Sequence, residues 1–163
     1  MNEISMEEQA KFLEECENHG MTEGTLPFLN RAYIRTTREQ LRDVVQYLKD
    51  QGFVHCTTVS AVDYPENYEM VYHLRNMAFS INLKVAIPKD DPKVPSVADI
   101  IAGTNLFERE ANDLMGIFPE GHPNPARIIL DYDWPEGVYP LRKEETLESI
   151  REKADAAMEE NQE

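Results

Sequence analysis

Glu108, Glu110 and Asp113 stand within six residues of one another, and His122 follows nine positions later. Two carboxylates sharing a site can do general acid–base work, and with a histidine they can ligate a divalent cation. On a helix, Glu110 and Asp113 lie three apart and can approach each other. Arg109 and Asp113 lie four apart and can form an ion pair on one face. Phe107, Leu114 and partly Ala111 fall on the other side at a spacing suited to core burial. The residues themselves favour the plainer alternative, a helix whose charged face pairs internally and with a neighbouring subunit.

His122 has no companions for a metal site. The nearest histidine, His73, is almost fifty residues away, and no H-E-x-x-H occurs. Pro119, Pro123 and Pro125 restrict the backbone around it, so His122 reads as a hydrogen-bonding or packing residue. Further on, Arg127 precedes Ile128-Ile129-Leu130, and Arg142-Lys143 follow Pro140-Leu141. A guanidinium beside apolar positions commonly ties down carboxylates or carbonyls through its planar fork. Such a proline-rich stretch has few backbone bonds of its own and must lie along another surface, its own domain or a partner. Trp134, Tyr132 and Tyr139 add side chains enriched at interface hot spots. These features favour an interaction protein over an enzyme.

The elements that position this stretch can be read from periodicity. Met6–His19 is modestly amphipathic and ends at Gly20; residues 20–30, with Gly20, Gly24 and Pro27, read as a linker. Ala32 and Ile34 mark a short strand. Thr37–Gln40 has the T-x-x-Q form of a capping box, and Leu41, Val44, Val45 and Leu48 follow at helical spacing until Gly52. Residues 54–63, 68–74 and 79–87 are β-branched and joined by short turns, which predicts an antiparallel meander. Pro88–Pro95 reads as a charged loop. Ser96 then caps a short helix through Ile101, and Thr104 caps a second, Asn105–Met115. A last helix covers residues 146–160. The fold class expected is α+β: a two-layer arrangement, mainly antiparallel sheet with helices on one face, an extended C-terminal arm and an acidic terminal helix. The organisation expected is an acidic helix and linker over 1–30, a core over 31–117, an interaction arm over 118–145 and an acidic helix or tail over 146–163. No G-x-G-x-x-G or P-loop is present.

Composition narrows the partners. Thirty-one acidic and sixteen basic residues give a net charge of −15, which repels nucleic acid and anionic lipid. Residues 1–26 and 144–163 each carry −6, so the acid lies at the ends. Those ends read as solvated helical faces, or alternatively as a docking charge for a basic partner. Cys16 and Cys56 are far apart in a chain without a CxxC pair or a secretory leader. Two thiols cannot by themselves hold an iron–sulfur cluster, and they suit a reducing compartment. No apolar run approaches the roughly 20 residues of a membrane span.

Glu108-Arg109-Glu110, two residues, Asp113, then Leu114-Met115, with His122 after six more and Arg127-Ile128-Ile129 closing, resemble the signature of the 30-kDa subunit family of NADH:quinone oxidoreductase. Ser60–Pro65, Val71–Leu74, Val94–Val97 and Gly137–Lys143 are similar to further motifs of that family, so the likeness covers roughly residues 54–143. Ala126 stands where the pattern is usually basic, and Glu144-Glu145 depart from its continuation. The resemblance implies a non-catalytic, cofactor-free peripheral-arm subunit of a membrane-bound, ion-translocating oxidoreductase complex that passes electrons to quinone or a related acceptor. It implies docking on a hydrogenase-like large (49-kDa-type) subunit, near a small iron–sulfur subunit, with clusters only in partners. The expected position is the cytoplasmic face, held to the membrane only indirectly. Glu108, Arg109, Glu110, Asp113, His122, Pro123, Arg127, Pro140, Leu141, Arg142 and Lys143 would be structural and interfacial. Related subunits occur in respiratory complex I, in archaeal complexes fed by reduced deazaflavin or ferredoxin and in energy-converting membrane-bound hydrogenases, and the sequence leaves these open. The reading from a different class is a free-standing metal or acid–base enzyme using Glu110, Asp113 and His122.

Overall fold

A computed structural model describes residues 5–28 and 30–160. Helix α1 (Met6–Glu17) starts on a reciprocal cap: Glu8 N–H donates to Ser5 Oγ and Ser5 N–H to Glu8 Oε2. Its Leu13 and Cys16 enter the core. The next segment is not a linker. It forms β1 (Thr22–Phe28), antiparallel to β2 (Arg31–Thr36). The pairing is irregular, with register shifts on both sides of Thr25 and a positive φ of 53° at Glu23. Bulges of this kind erase the two-residue alternation by which a strand is recognised.

Helix α2 (Leu41–Asp50) buries Leu41, Val44, Val45 and Leu48 completely. Each such side chain contributes about 1.5–3 kcal/mol by leaving water, and all four belong to the core shared with the sheet. Only half of the expected capping box forms. Gln40 N–H donates to Thr37 Oγ1 at 3.3 Å, but the helix itself begins at Leu41, after a turn. Strands β3 (His55–Asp63), β4 (Asn67–Arg75) and β5 (Ser80–Pro88) form the expected antiparallel meander. β2 joins β5 in parallel, giving the order β1-β2-β5-β4-β3. Tyr68, Met70, Tyr72 and Leu74 of β4 stand opposite Ile87, Val85, Leu83 and Ile81 of β5, and all eight are buried beneath the helices.

Two further corrections concern the approach to the last core helix. Pro88–Pro95 contains a strand, β6 (Lys93–Pro95), paired in parallel with β7 (Phe118–Glu120). Ser96–Ile101 is not a helix but a turn, because the Ser96 hydroxyl bonds Glu108 and its oxygen accepts from Ala98 N–H. A 3₁₀ turn at Ala102–Thr104 leads into α3 (Asn105–Met115). Thr104 holds the N-cap position of α3, but its side chain makes no capping bond: its hydroxyl donates back to the Ile101 carbonyl. Residues 121–146 are irregular, and α4 (Leu147–Glu160) follows. No helix among the described residues is long and apolar enough to cross a membrane.

Gly116 ends α3 at φ 70°, and a Cβ there would lie 2.6 Å from Tyr139 and from Arg142 Nη2. Gly121 has a similar φ of 76° with nothing within 4 Å of its would-be Cβ. Gly121→Ala should therefore carry only the left-handed backbone cost of about 1–2 kcal/mol. Gly116→Ala should cost clearly more and should free the chain at Arg142 for trypsin. Urea unfolding and timed proteolysis of the two variants check this; equal losses would mean that Tyr139 and Arg142 do not pack on Gly116.

Candidate functional site

Glu108 is fully buried at the inner end of α3. Its Oε1 accepts from Val97 N–H at 2.9 Å and its Oε2 from the Ser96 hydroxyl at 2.5 Å. Burial raises its carboxyl above the usual glutamate range, and these two donors only partly offset the effect. His122 closes the same pocket, its Nε2 4.0 Å from Glu108 Oε2. Asn124 N–H donates to His122 Nδ1 at 3.0 Å, so that nitrogen must accept; Nε2 then carries the proton and donates to the Asn105 carbonyl at 3.1 Å. This pattern is a neutral imidazole with both nitrogens occupied. The Tyr72 hydroxyl is also buried, without a hydrogen-bond partner, and burial with Glu108 and Cys56 nearby holds its pKa well above the ordinary value.

Asp113 serves the other side. Its Oδ2 accepts three backbone N–H groups in succession, from Ile128, Ile129 and Leu130 at 3.1, 2.7 and 2.8 Å. Arg127 Nε lies 3.3 Å from Oδ1. The expected Arg109–Asp113 pair does not form. Arg109 instead donates to the carbonyls of Ala126 and Arg127 at 2.8 and 3.3 Å. One face of α3 thus supplies an acceptor for the amides and a donor for the carbonyls of the same irregular turn. Glu110 is exposed, on the rim of a shallow groove lined by Ala61, Phe107, Leu114 and Leu141.

The arm is fastened again near its end. Arg142 Nε donates to the Met115 carbonyl at 2.9 Å, and its guanidinium lies 4.3 Å from the Tyr139 ring centre and 5.3 Å from that of Tyr68. Leu141 N–H reaches the Leu114 carbonyl, and Lys143 N–H donates to Asp63 Oδ2 at 2.9 Å. Asp63 Oδ1 pairs with Lys89 Nζ at 2.6 Å. Burial alone would raise the Asp63 carboxyl, but the Lys89 ammonium and the Lys143 amide outweigh it and hold the group below the usual aspartate range. The Lys143 side chain and Pro123 are exposed, and Pro140 is half-buried. With its polar backbone so occupied, the arm leaves Ile129 and Leu141 more than half exposed, at 56% and 58%, and Tyr132 fully so.

Asp63, Ser96 and Lys89 were not among the candidate residues of the sequence, although Asp63 and Ser96 lie inside its motifs. An aspartate closing a strand before Tyr64-Pro65 was the available signal; nothing local marks Lys89. Cys16 and Cys56 are free and buried, and burial pushes their thiols up to about 12 and about 11. Among the described residues no group of three or more His, Cys, Asp or Glu side chains is arranged to hold a metal ion.

The family model for the respiratory-chain NADH dehydrogenase 30 Kd subunit matches residues 34–151. An NADH-quinone oxidoreductase subunit from Saccharopolyspora erythraea is 38% identical over 122 residues, 69% of this chain and 48% of that protein. An F(420)H(2) dehydrogenase subunit from Methanosarcina mazei is 36% identical over 123 residues, covering 72% and 76%. The chain spans about half the length of the curated relatives it matches first. Among solved structures, a chain of the membrane-bound sulfane sulfur reductase, an archaeal respiratory membrane complex, superposes with a TM-score of 0.77 at 28% identity, covering 89% of this chain and 90% of that one. A trypsin-resistant fragment of Nqo5 gives 0.63 at 27% identity, covering 71% and 98%.

Removing the Asp113 carboxylate leaves three amides without their acceptor and Arg127 without its carboxylate, so Asp113→Ala should destabilise the protein by about 3 kcal/mol. Hydrogen exchange should show protection lost at Ile129 and Leu130 before it is lost at Leu83 in β5; a uniform loss would contradict the local fastening. Glu108 gives a pH test. The folded state binds its proton more tightly than the unfolded chain, so wild-type stability falls as pH rises from about 4.3 through the folded-state value. Glu108→Gln removes that slope. In urea unfolding between about pH 4 and 7, the stability difference should shift toward the Gln variant as pH rises, and a flat difference would show that the buried carboxyl is not raised.

Proposed function

The chain belongs to the family of the respiratory-chain NADH dehydrogenase 30-kDa subunit, and from that premise we propose that it is a cofactor-free subunit of the peripheral arm of a membrane-bound oxidoreductase complex. It packs against a hydrogenase-like large (49-kDa-type) subunit, beside a small iron–sulfur subunit that holds the redox centres. It lies on the cytoplasmic face, reaches the membrane only through its partners, and supports electron transfer to quinone or a related acceptor with coupled ion translocation. The observation that carries this reading is the arm. Asp113 and Arg109 of α3 engage its backbone groups and its own Arg142 bonds the Met115 carbonyl at the end of α3, while Ile129, Tyr132 and Leu141 remain exposed. Exposed apolar and aromatic side chains on a fixed, polar-satisfied backbone suit a permanent protein interface.

The rival metal or acid–base enzyme is poorly supported by the same geometry. Asp113 is taken up by three amides and Arg127, both nitrogens of His122 are bonded, and Glu110 stands apart from them, exposed. A base or ligand needs a free lone pair, which neither Asp113 Oδ2 nor the His122 ring offers.

The division of labour can be measured on native membranes solubilised in mild detergent. The tagged chain should bring down a hydrogenase-like large subunit and an iron–sulfur subunit. Asp113→Ala and Arg142→Ala should lower the yield of assembled complex about tenfold, equivalent to roughly 1.4 kcal/mol of docking energy. Turnover per assembled complex should stay near wild type. Full assembly of the Arg142→Ala complex with no turnover would assign this residue to the chemistry instead.

A further inference from the structure

Helices α1, α2 and α3 share the core with one face of the five-stranded sheet, and the alternate strand positions make up the other face. It carries a pattern unlike the rest of this acidic chain. Arg35 of β2 pairs with Glu23 at 2.8 Å and with the buried Glu69 at 3.0 Å, and Lys84 of β5 reaches the same Glu69 at 3.3 Å. In the middle, His73 Nδ1 bonds Asn82 Oδ1 at 2.6 Å and its Nε2 meets Ser60 Oγ at 3.4 Å. This floor is polar and internally satisfied. At its end the register sets Arg31 of β2, Ser80 of β5 and Arg75 of β4 in one row across three adjacent strands. Both arginines are exposed, and among the described residues neither has a carboxylate within ion-pair distance. They flank a shallow groove with Tyr33, His73, Ser80 and Asn82.

We propose that this face docks an extended, carboxylate-bearing segment of a neighbouring subunit, with Arg31 and Arg75 as its two anchoring forks. Strands two places apart in a sheet are separated by roughly 10 Å. Carboxylates two residues apart on an extended segment share a face and lie roughly 7 Å apart, within the reach of two long arginine side chains, so each guanidinium can take its own carboxylate in the bidentate manner. Charge selects the class of occupant. A chain of −15 repels a polyanionic membrane or nucleic acid, whereas a short acidic segment can meet this one cationic row and avoid the acidic helices. Tyr33 supplies an aromatic surface beside the row. The inference rests on the chain working inside a complex, but it concerns a face distinct from the arm.

The test uses the native complex with the conservative variants R31K and R75K, treated with a carbodiimide that joins a lysine amine to a carboxylate in contact with it. Mass spectrometry should find an amide from position 31 or 75 to an Asp or Glu of another subunit. The double variant R31A/R75A should lose that subunit at several-fold lower salt than wild type, while R151A on α4 should not. Circular dichroism and thermal melting of these surface variants should match wild type. An assembled complex that gives no cross-link to a partner, and whose R31A/R75A form withstands the same salt, overturns the proposal. Inorganic phosphate binding that R31A/R75A abolishes, again without a partner cross-link, overturns it in favour of a free anion. A wild-type chain that purifies alone removes the subunit reading, and this face with it.

Discussion

An irregular chain must still satisfy every peptide group it withdraws from water, and here one helix supplies much of the means. Glu108 and Asp113 are five positions apart on α3 and both buried; Asp113 takes three backbone amides, and Glu108 takes one amide and the Ser96 hydroxyl. Glu108 fastens the turn at 96–97 that enters the helix region, and Asp113 fastens the turn at 128–130 that leaves it. Arg109 takes the carbonyls of the outgoing turn, and the carbonyl at the end of α3 is taken by Arg142. The short pair β6–β7 bridges the same two flanks. Without α3 as a scaffold of charged acceptors and donors, residues 121–143 would have little reason to hold one path.

Charge is distributed with the same economy. Glu108 is met by neutral donors and lifted toward protonation, whereas Asp63, little exposed but less deeply buried, is met by an ammonium and pulled down. The two buried carboxylates therefore answer acid differently. Asp63 contributes stability at neutral pH that fades as pH falls through its folded value, and Glu108 weighs against folding as pH rises through its own. Many cations of the core are committed: Arg42 to Asp99 and the Ser96 carbonyl, Arg35 and Lys84 to Glu69, Arg127 to Asp113. Against that background, two exposed arginines in register with no such partner among the described residues stand out.

Much of the frame could be read from residue order. The repeat in Leu41–Leu48, the three β-branched runs and the bounds of α3 all follow from periodicity and glycine stops, because each buries a regular face. What escaped depended on distant partners. β1 looked like a linker since Gly24 and Pro27 break its pattern, yet β2 gives its backbone bonds. Ser96 looked like a helix cap, but Glu108, twelve residues away, claims its hydroxyl. The site was legible as a set of residue types and not as a set of bonds. Arg109 and Asp113 satisfy the spacing rule for an ion pair, and each has a better use in a turn that no local pattern reveals.

That preference has an energetic reason. An exposed ion pair along a helix is worth only about 0.3–0.5 kcal/mol, whereas a buried amide left without an acceptor costs about 1–3 kcal/mol. Three amides converging on Asp113 outweigh one surface pairing several times over. The same arithmetic shapes the arm: while its peptide groups are fastened to α3, Ile129 and Leu141 stay more than half in water. Apolar area left in water costs roughly 25 cal/mol per Å², a debit that a second protein surface would remove. Fastening the backbone inward and exposing the side chains outward are thus one structural choice, made at Asp113.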